Sequence, residues 1–295
     1  MKRILILILL LALALSGCAA PQEAAQIAAT TLPVYEFTLR LCEGTGITVT
    51  RLITENVSCL HDYSLNVSQV KAAEAAELII ISGAGLEEFM EDILPEEGLL
   101  DSSAGLELIE CNDAHDHSHD SHDSHDHHHH EVDSHIWLSP ENAKRMAANI
   151  CEGLSLYYPD QKSIFEANLH PLLADIDALQ TYGELVLTDL ACRELITFHD
   201  GFSYLADSFG LTILEAVEEE SGSEASAAEL KHLIEEVHHH NLPAIFTETN
   251  GSDSAASVIA RETGANTYTL DMAMSGDSWF KAMYRNIDTV KEALK

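Results

Sequence analysis

The chain has 295 residues, of which 49 are acidic and only 15 are Lys or Arg, so its formal net charge is −34 at pH 7. This excess of negative charge excludes a protein that holds nucleic acid through its phosphates, and it favours cations as ligands. Since 46% of the residues are hydrophobic, the chain can bury a large core, and its length favours two lobes over one.

The first residues have the pattern of a bacterial lipoprotein signal. Lys2 and Arg3 precede an apolar run over residues 4–14, and small residues then lead to Cys18. The run is too short for a mature membrane span. The pattern predicts that residues 1–17 are removed, that the Cys18 thiol is acylated, and that the protein is anchored to the outer face of the bacterial cytoplasmic membrane. An ordinary signal peptide with an incidental cysteine is the alternative.

The cysteines that follow Cys18 are interpreted as structural. An exported protein can form disulfide bonds, and a bridge between Cys42 and Cys59 would close a short loop and stabilise the fold by about 3 kcal/mol. Of the six cysteines in the chain, an odd number remains after Cys18, which leaves at least one free thiol unless two chains cross-link. Their spacing contains no CxxC zinc motif.

The N-terminal half alternates between predicted strands and helices. The predicted strands cover residues 25–34, 47–53, 78–82 and 106–109. The predicted helices cover residues 34–42, residues 68–76 with Ser68 as the N-cap, and a segment that follows the glycine turn GAG. A succession of this kind predicts a parallel sheet.

Residues 115–130, HDHSHDSHDSHDHHHH, contain nine histidines, four aspartates and no apolar residue. Such a tract cannot join a core, and imidazoles beside carboxylates suit zinc, copper or nickel. The candidate auxiliary ligands in this flexible loop are His115, His117, His119, His122, His125, His127, His128, His129 and His130. An expression tag and a neutral spacer are the alternatives. The tract alone does not distinguish a transporter from a chaperone or an enzyme.

After the tract, two long helices are predicted before the alternation resumes. The first begins at Ser139 and Pro140 and ends near residue 158; the second covers residues 160–187, with Pro171 as its one expected kink. The later strands cover residues 194–198, 211–215, 244–247 and 265–270, and the later helices cover residues 201–209, 226–240, 252–263 and a segment from residue 278. The predicted fold is therefore α/β: an N-terminal lobe at residues 18–158, a rigid connector helix at 159–188 and a C-terminal lobe at 189–295.

Four ligand-capable side chains stand at strand ends or helix entrances. His61 follows the second strand, His135 precedes a capped helix, and His199 and Asp271 each end a strand. Ligands bind beyond the carboxyl ends of parallel strands, so we expect these four to converge in the cleft between the lobes as a tetrahedral zinc site. Glu248, at the end of its own strand, is a candidate for an outer partner or an alternative ligand. Taken singly, each residue is more simply a cap or a turn residue.

The segments that carry these residues resemble the zinc and manganese solute-binding proteins of ABC transporters, the ZnuA/TroA-like family. The matching motifs are HDYSL, SHIWLSPENA directly after the histidine-rich tract, FHDGFSYLADSFGL, and FTETN followed by ETGANTYTLD. The resemblance covers residues 25–295. It implies two lobes joined by a rigid helix, a metal in the cleft, histidine ligands at His61, His135 and His199, and a carboxylate ligand at Asp271.

The resemblance also has two departures. The family often has Asp-Pro-His where this chain has Asp133, Ser134 and His135, and often Asp-Pro where this chain has Asp271 and Met272. Both change a local turn, and neither removes a ligand-capable side chain.

The function that the resemblance implies is a high-affinity receptor outside the membrane, which delivers zinc to an ABC permease and its ATPase. Zn2+ is then the transported ligand, and we expect a monomer that catalyses no reaction. Manganese-type members usually have a carboxylate where this chain has His199, so the ligand set favours zinc. A manganese receptor of the same family and an extracellular zinc buffer or adhesin remain alternatives. A zinc hydrolase is a third, although no HExxH motif occurs.

Overall fold

The structure, a computed structural model, describes residues 25–57, 60, 63–110, 132–217, 225–249 and 254–295. Its strands form two four-stranded parallel sheets, one in each half of the chain. The first has the order β2-β1-β3-β4 and consists of β1 (Ile27–Ala29), β2 (Val49–Arg51), β3 (Leu78–Ile81) and β4 (Leu99–Asp101). The second has the order β6-β5-β7-β8 and consists of β5 (Glu194–Thr197), β6 (Thr212–Ala216), β7 (Ala244–Glu248) and β8 (Asn266–Leu270). The predicted pair of parallel α/β lobes is confirmed.

The described helices follow the predicted order. They are α1 (Leu32–Leu41), α2 (Val67–Ala75), α3 (Pro140–Tyr157), α4 (Lys162–Val186), α5 (Ser203–Ser208), α6 (Ala227–His240), α7 (Ser254–Thr263) and α8 (Trp279–Leu294). The helix expected after the GAG turn is a 3-10 segment, Leu86–Ile93, and shorter 3-10 turns lie at Ile136–Leu138 and Pro159–Gln161. Among the residues described, no helix is long and apolar enough to cross a membrane.

The strands β3 and β7 are buried along their whole length, since both faces of these sheets are covered. β3 has the sequence LIII and β7 the sequence AIFTE, and all of their residues are buried. Strands of a parallel sheet are expected to be buried on both faces when helices pack on each side. All strands of a sheet point the same way, so their carboxyl ends open onto one edge.

Side-chain caps mark the beginnings of some of the described helices, with one correction to the sequence prediction. Ser139 accepts a hydrogen bond from Asn142 at the start of α3, as the sequence predicts, and Ser226 forms a capping box at the start of α6. The predicted cap of α2, Ser68, is wrong. Asn66 is the N-cap, because its side chain accepts the N–H groups of Ser68 and Gln69.

One predicted strand is also wrong. Residues 106–109 form no strand, and the fourth strand of the first sheet is instead β4, where Leu99 is paired with Ile79 of β3. β4 has only three residues, too few to show a periodic pattern. The segment 106–109 bonds elsewhere, since the Ile109 N–H donates to the Tyr204 hydroxyl oxygen at 2.9 Å.

The segment that contains the histidine-rich tract begins and ends at one place. Glu110 and Val132 form an isolated antiparallel bridge. Beside it, the Asp133 N–H donates to the Ile109 carbonyl at 2.8 Å. The tract itself, residues 115–130, lies outside the described residues.

The long helix α4 lies between the two sheets in sequence and contacts both halves of the molecule. It packs against α1 and α3 of the first half and against α8 of the second. Its buried side chains include Phe165, Leu172 and Ile176, and Pro171 lies inside it. It begins at Lys162 because the preceding residues form a 3-10 turn. The exact boundaries of lobes and connector stay a prediction.

Of the predicted disulfide, the structure describes only Cys42. Cys42 is buried, and burial raises the pKa of its thiol to about 12. Its predicted partner, Cys59, lies outside the described residues, as does Cys18 with the predicted signal segment. The bridge and the lipid anchor therefore stay predictions.

Candidate metal site

Two of the four predicted ligands, one from each half of the chain, lie side by side. His135 directly precedes the 3-10 turn that leads into α3, and His199 follows β5 by two residues. Their Nε2 atoms are 3.4 Å apart, and their rings are nearly perpendicular. Both side chains are buried. We call these two residues the cleft histidines, after the interlobe cleft that the sequence predicts.

Asp133 is the hydrogen-bond partner of the first cleft histidine, His135. Its Oδ1 atom accepts hydrogen bonds from the backbone N–H of His135 and from the ring Nδ1, each at 2.8 Å. With Nδ1 protonated against this carboxylate, the lone pair of Nε2 faces His199. Among the described residues, Asp133 Oδ2 is buried with no hydrogen-bond partner. Asp133 therefore fixes both the position and the tautomer of the His135 ring.

Glu248 lies behind the second cleft histidine. It ends β7, the strand beside β5, and its Oε2 atom lies 3.7 Å from Nδ1 of His199. The backbone of His199 is fixed separately, because the Thr197 hydroxyl donates to the His199 carbonyl at 3.0 Å. The carboxylate of Glu248 thus lies beside Nδ1 of His199 as that of Asp133 lies beside Nδ1 of His135, but at a longer distance. In both histidines Nε2 is directed towards the ring of the other.

The separation of the two Nε2 atoms fits a four-coordinate metal. Two ligands of a tetrahedral zinc ion, with bonds of about 2.0–2.1 Å, are about 3.3–3.4 Å apart. The observed distance is 3.4 Å. Two imidazole lone pairs that face each other repel unless a proton or a cation lies between them. The pair can therefore bind a divalent cation that accepts nitrogen ligands.

Asp271, the predicted carboxylate ligand, is held at the end of β8. Its Oδ1 atom accepts the Ala273 N–H, and its Oδ2 atom accepts the Arg285 guanidinium, both at 2.8 Å. Asn286 fixes its backbone through two hydrogen bonds. The Arg285 side chain is 68% exposed, so this ion pair is weak and easily exchanged. A role for Asp271 as a metal ligand stays a prediction.

The remaining predicted ligands cannot be placed. His61 and the nine histidines of the tract lie outside the described residues. In the parts of the chain that the structure describes, no three His, Cys, Asp or Glu side chains form a group that could hold a metal ion. Of the predicted four-residue site, the structure describes His135, His199 and Asp271, and it brings the two cleft histidines into contact.

Gly201 and Asp133 contribute to the site and were missed by the sequence analysis. A Cβ atom on Gly201 would lie 2.7 Å from His199 Cδ2, 2.7 Å from Met272 Cε and 2.9 Å from His135 Cε1. Only glycine leaves room for both rings. The signals in the sequence are the glycine of HDG, two residues after one predicted ligand, and the aspartate two residues before another.

Apolar side chains keep this region dry. Trp137 is fully buried and meets the His135 ring edge to face, with 5.5 Å between ring centroids. Met272 is also buried. A dry surrounding lowers the local dielectric constant and so strengthens the attraction between a cation and the carboxylates of Asp133 and Glu248.

Other histidines lie on the outer surface of the second half, on α6. His232 Nε2 is 3.2 Å from Glu215, and His240 Nδ1 is 2.9 Å from Glu194. We call His232 and His240 the outer-face histidines. Their side chains are 55% and 25% exposed, and each contacts a carboxylate at the surface.

Comparison with known proteins identifies relatives along almost the whole chain. The family described as "ZnuA: Zinc-uptake complex component A periplasmic" matches residues 27–293. The zinc-binding lipoprotein AdcA of Streptococcus pneumoniae serotype 4 is 28% identical over 307 residues, which is 99% of this chain but 61% of that protein. The high-affinity zinc uptake system protein ZnuA of Bacillus subtilis is 28% identical over 281 residues, 91% of this chain and 87% of that protein. A crystal structure of ZnuA superposes with a TM-score of 0.79 at 29% identity, covering 92% of this chain and 100% of the other.

Proposed function

The chain belongs to the ZnuA family of periplasmic zinc-uptake complex components, and from this premise we propose that it is a zinc receptor outside the cytoplasmic membrane. It captures Zn2+ in the cleft and delivers it to an ABC permease and its ATPase. Zinc is the cargo, and the chain catalyses no reaction. The names of the relatives, a zinc-binding lipoprotein and a zinc-uptake protein, support this proposal.

The observation that carries the proposal is the convergence of the cleft histidines. Their Nε2 atoms are 3.4 Å apart, and each ring has a carboxylate behind it. A ligand histidine that bears on a carboxylate through its other nitrogen is the usual arrangement around zinc. We propose that His61 and Asp271 complete a four-ligand shell with them.

The composition of this shell favours zinc over manganese. Three imidazoles and one carboxylate suit a borderline cation such as Zn2+, whereas Mn2+ prefers oxygen ligands. A closed shell of four protein ligands also leaves no position for a reactive water, which a catalytic zinc requires. The shell is therefore suited to holding and releasing an ion, not to hydrolysis.

The flanking segments have separate roles in this proposal. An acylated Cys18 anchors the protein, as a monomer, to the outer face of the membrane, where the permease lies. The histidines of residues 115–130 collect zinc near the cleft and raise its effective concentration there. Removal of the tract therefore leaves the tight site intact.

The test is competitive binding on the chain that starts after Cys18 and lacks residues 115–130. We expect one tight zinc site that manganese displaces poorly, because nitrogen ligands favour zinc. A protein that binds neither metal tightly would overturn the proposal. A protein that binds manganese more tightly than zinc would replace it with the manganese receptor.

Delivery needs a second test in cells. A strain that lacks the protein is grown under zinc limitation and complemented with the wild-type chain or with His199→Ala. We expect the wild type alone to restore growth and zinc content. Normal growth of the deletion strain would contradict a role in uptake and favour a passive extracellular buffer.

A further inference from the structure

The segment that carries Asp271 is bonded to the opposite lobe along its length. Residues 271–279 connect β8 to α8, and we call them the interlobe strap. Their contacts with the first half of the chain are Leu32 N–H to Met274 O at 3.3 Å, Arg51 Nη1 to Gly276 O at 2.9 Å, Ser278 Oγ to Glu36 Oε1 at 2.9 Å, Trp279 N–H to Glu36 Oε2 at 2.6 Å, Trp137 Nε1 to Met272 O at 2.7 Å and Trp279 Nε1 to Trp137 O at 3.1 Å.

Trp137 has a special place among these contacts. It lies two residues after His135, and its indole N–H donates to the carbonyl of Met272, the neighbour of Asp271. Its own carbonyl accepts the indole N–H of Trp279. The Trp137 side chain thus links the segment that carries His135 in the first lobe to the backbone next to Asp271 in the second.

The strap also forms one wall of the site. The Met272 methyl group, His135 Cε1 and His199 Cδ2 surround the same point beside Gly201. A shift of Met272 therefore changes the space available to both cleft histidines. The bond from Trp137 is buried, so its loss would leave a carbonyl without a partner and allow the strap to move.

We propose that Trp137 is a positioning residue that sets metal selectivity by fixing the spacing between the ligands of the two lobes. This inference rests on the proposed function. The 3.4 Å between the Nε2 atoms of the cleft histidines matches the spacing of two ligands on a tetrahedral zinc ion. A cation such as manganese prefers more ligands, chiefly oxygen, and needs the lobes to adjust. Loosening the strap should therefore weaken zinc binding more than manganese binding.

The test is Trp137→Phe, which keeps an aromatic ring and removes the N–H donor. In the full chain that starts after Cys18, we expect zinc affinity to fall about tenfold or more, as for loss of an outer partner of a metal ligand. Manganese affinity should change less, so the zinc-to-manganese ratio falls. The Co2+-loaded protein should lose part of its intense visible absorption, which marks tetrahedral coordination. A purely structural role would leave the ratio and the spectrum unchanged.

Two further variants separate positioning from general damage. Phe165→Leu, in the buried face of α4, should lower stability and leave the metal ratio and the cobalt spectrum as in the wild type. Arg51→Gln removes the hydrogen bond from Arg51 to the Gly276 carbonyl, which lies at the surface. It should lower the zinc-to-manganese affinity ratio, as Trp137→Phe does, but by a smaller factor. It keeps the proposal testable if Trp137→Phe does not fold.

The outcomes distinguish this inference from the proposed function. Tight zinc binding by the wild type, with an unchanged metal ratio and cobalt spectrum in Trp137→Phe and Arg51→Gln, would overturn the inference and leave the receptor intact. Failure of the wild type itself to bind zinc tightly would overturn the proposed function first.

Discussion

The cleft histidines and the outer-face histidines present the same chemical pair in two surroundings. His135 lies 2.8 Å from Asp133, and His240 lies 2.9 Å from Glu194. The side chain of His135 is 4% exposed, whereas that of His240 is 25% exposed. His240 also meets a second imidazole, that of His239, with 5.0 Å between ring centroids, whereas in the cleft pair the two Nε2 atoms themselves are 3.4 Å apart. Burial and the approach of two ring nitrogen atoms therefore distinguish the proposed site, and histidine content alone does not reveal either.

The largest effect on zinc binding is expected from the loss of one cleft histidine. His199→Ala removes one of the two converging nitrogen atoms, so zinc affinity should fall by more than the roughly 10–100-fold that an outer partner contributes. His240→Ala, measured in the same competitive titration, should leave the affinity unchanged. Equal losses in both variants would mean that the tight site is not in the cleft.

Two buried carboxylates can be compared in the same way. Asp133 contacts an imidazole, whereas Glu87 contacts a hydroxyl and backbone N–H groups. The Glu87 carboxylate accepts hydrogen bonds from the Thr30 hydroxyl at 2.6 Å and from the Ser82 and Gly83 N–H groups at 2.8 and 3.0 Å. Burial nevertheless raises its pKa from 4.5 to about 7. The folded state therefore favours the protonated form of this group.

This raised pKa predicts a pH-dependent stability. The contribution of Glu87 is fully present below about pH 4.5 and is lost as the pH rises towards 7, by at most about 3 kcal/mol. Denaturant unfolding of the wild type and of Glu87→Gln across this range should show the decline only in the wild type. Glu97→Gln, at an exposed position, should keep it. Parallel slopes in wild type and Glu87→Gln would contradict the assignment.

A smaller effect is expected from the carboxylate behind His135. Asp133→Asn keeps the size of the side chain but removes its charge, so zinc affinity should fall roughly 10–100-fold. Glu194→Gln makes the matching change on the outer face and should have no effect on the titration. An unchanged affinity in Asp133→Asn would show that His135 needs no charged partner.

The smallest effect on zinc is expected from the glycine between the rings. In Gly201→Ala the added methyl group must displace His135, His199 or the Met272 methyl, so we expect a loss of affinity of about tenfold, at the lower end of the range for disturbed ligand support. Gly153→Ala meets Leu100 at 1.9 Å and should lower stability without changing zinc affinity. Wild-type affinity in Gly201→Ala would show that the rings have room to move.

Local sequence signals account for most of the fold. The apolar run of β3 and the Ser-Pro start of α3 identify these elements because burial and capping act over a few residues. Local sequence signals do not predict an element that forms only through contact with another segment of the chain. β4 is a strand only because β3 lies beside it, and Asn66 displaces Ser68 as a cap through a reciprocal bond with Gln69.

The candidate site is less readable than the fold. The meeting of the cleft histidines follows from the rule that ligands gather at the carboxyl ends of parallel strands. The roles of Gly201 and Trp137 depend on contacts between residues that are far apart in sequence, such as the bond from Trp137 to Met272. No local pattern encodes such a distance.

The bridge between Glu110 and Val132 holds both ends of the intervening segment at one point. For a flexible loop whose ends are held together, a doubling of its length adds only about 0.6 kcal/mol of closure entropy. The backbone of Asp133 is meanwhile held by Ile109, on the other side of this bridge. We therefore expect that a longer or shorter segment at this position would leave Asp133 and His135 in place.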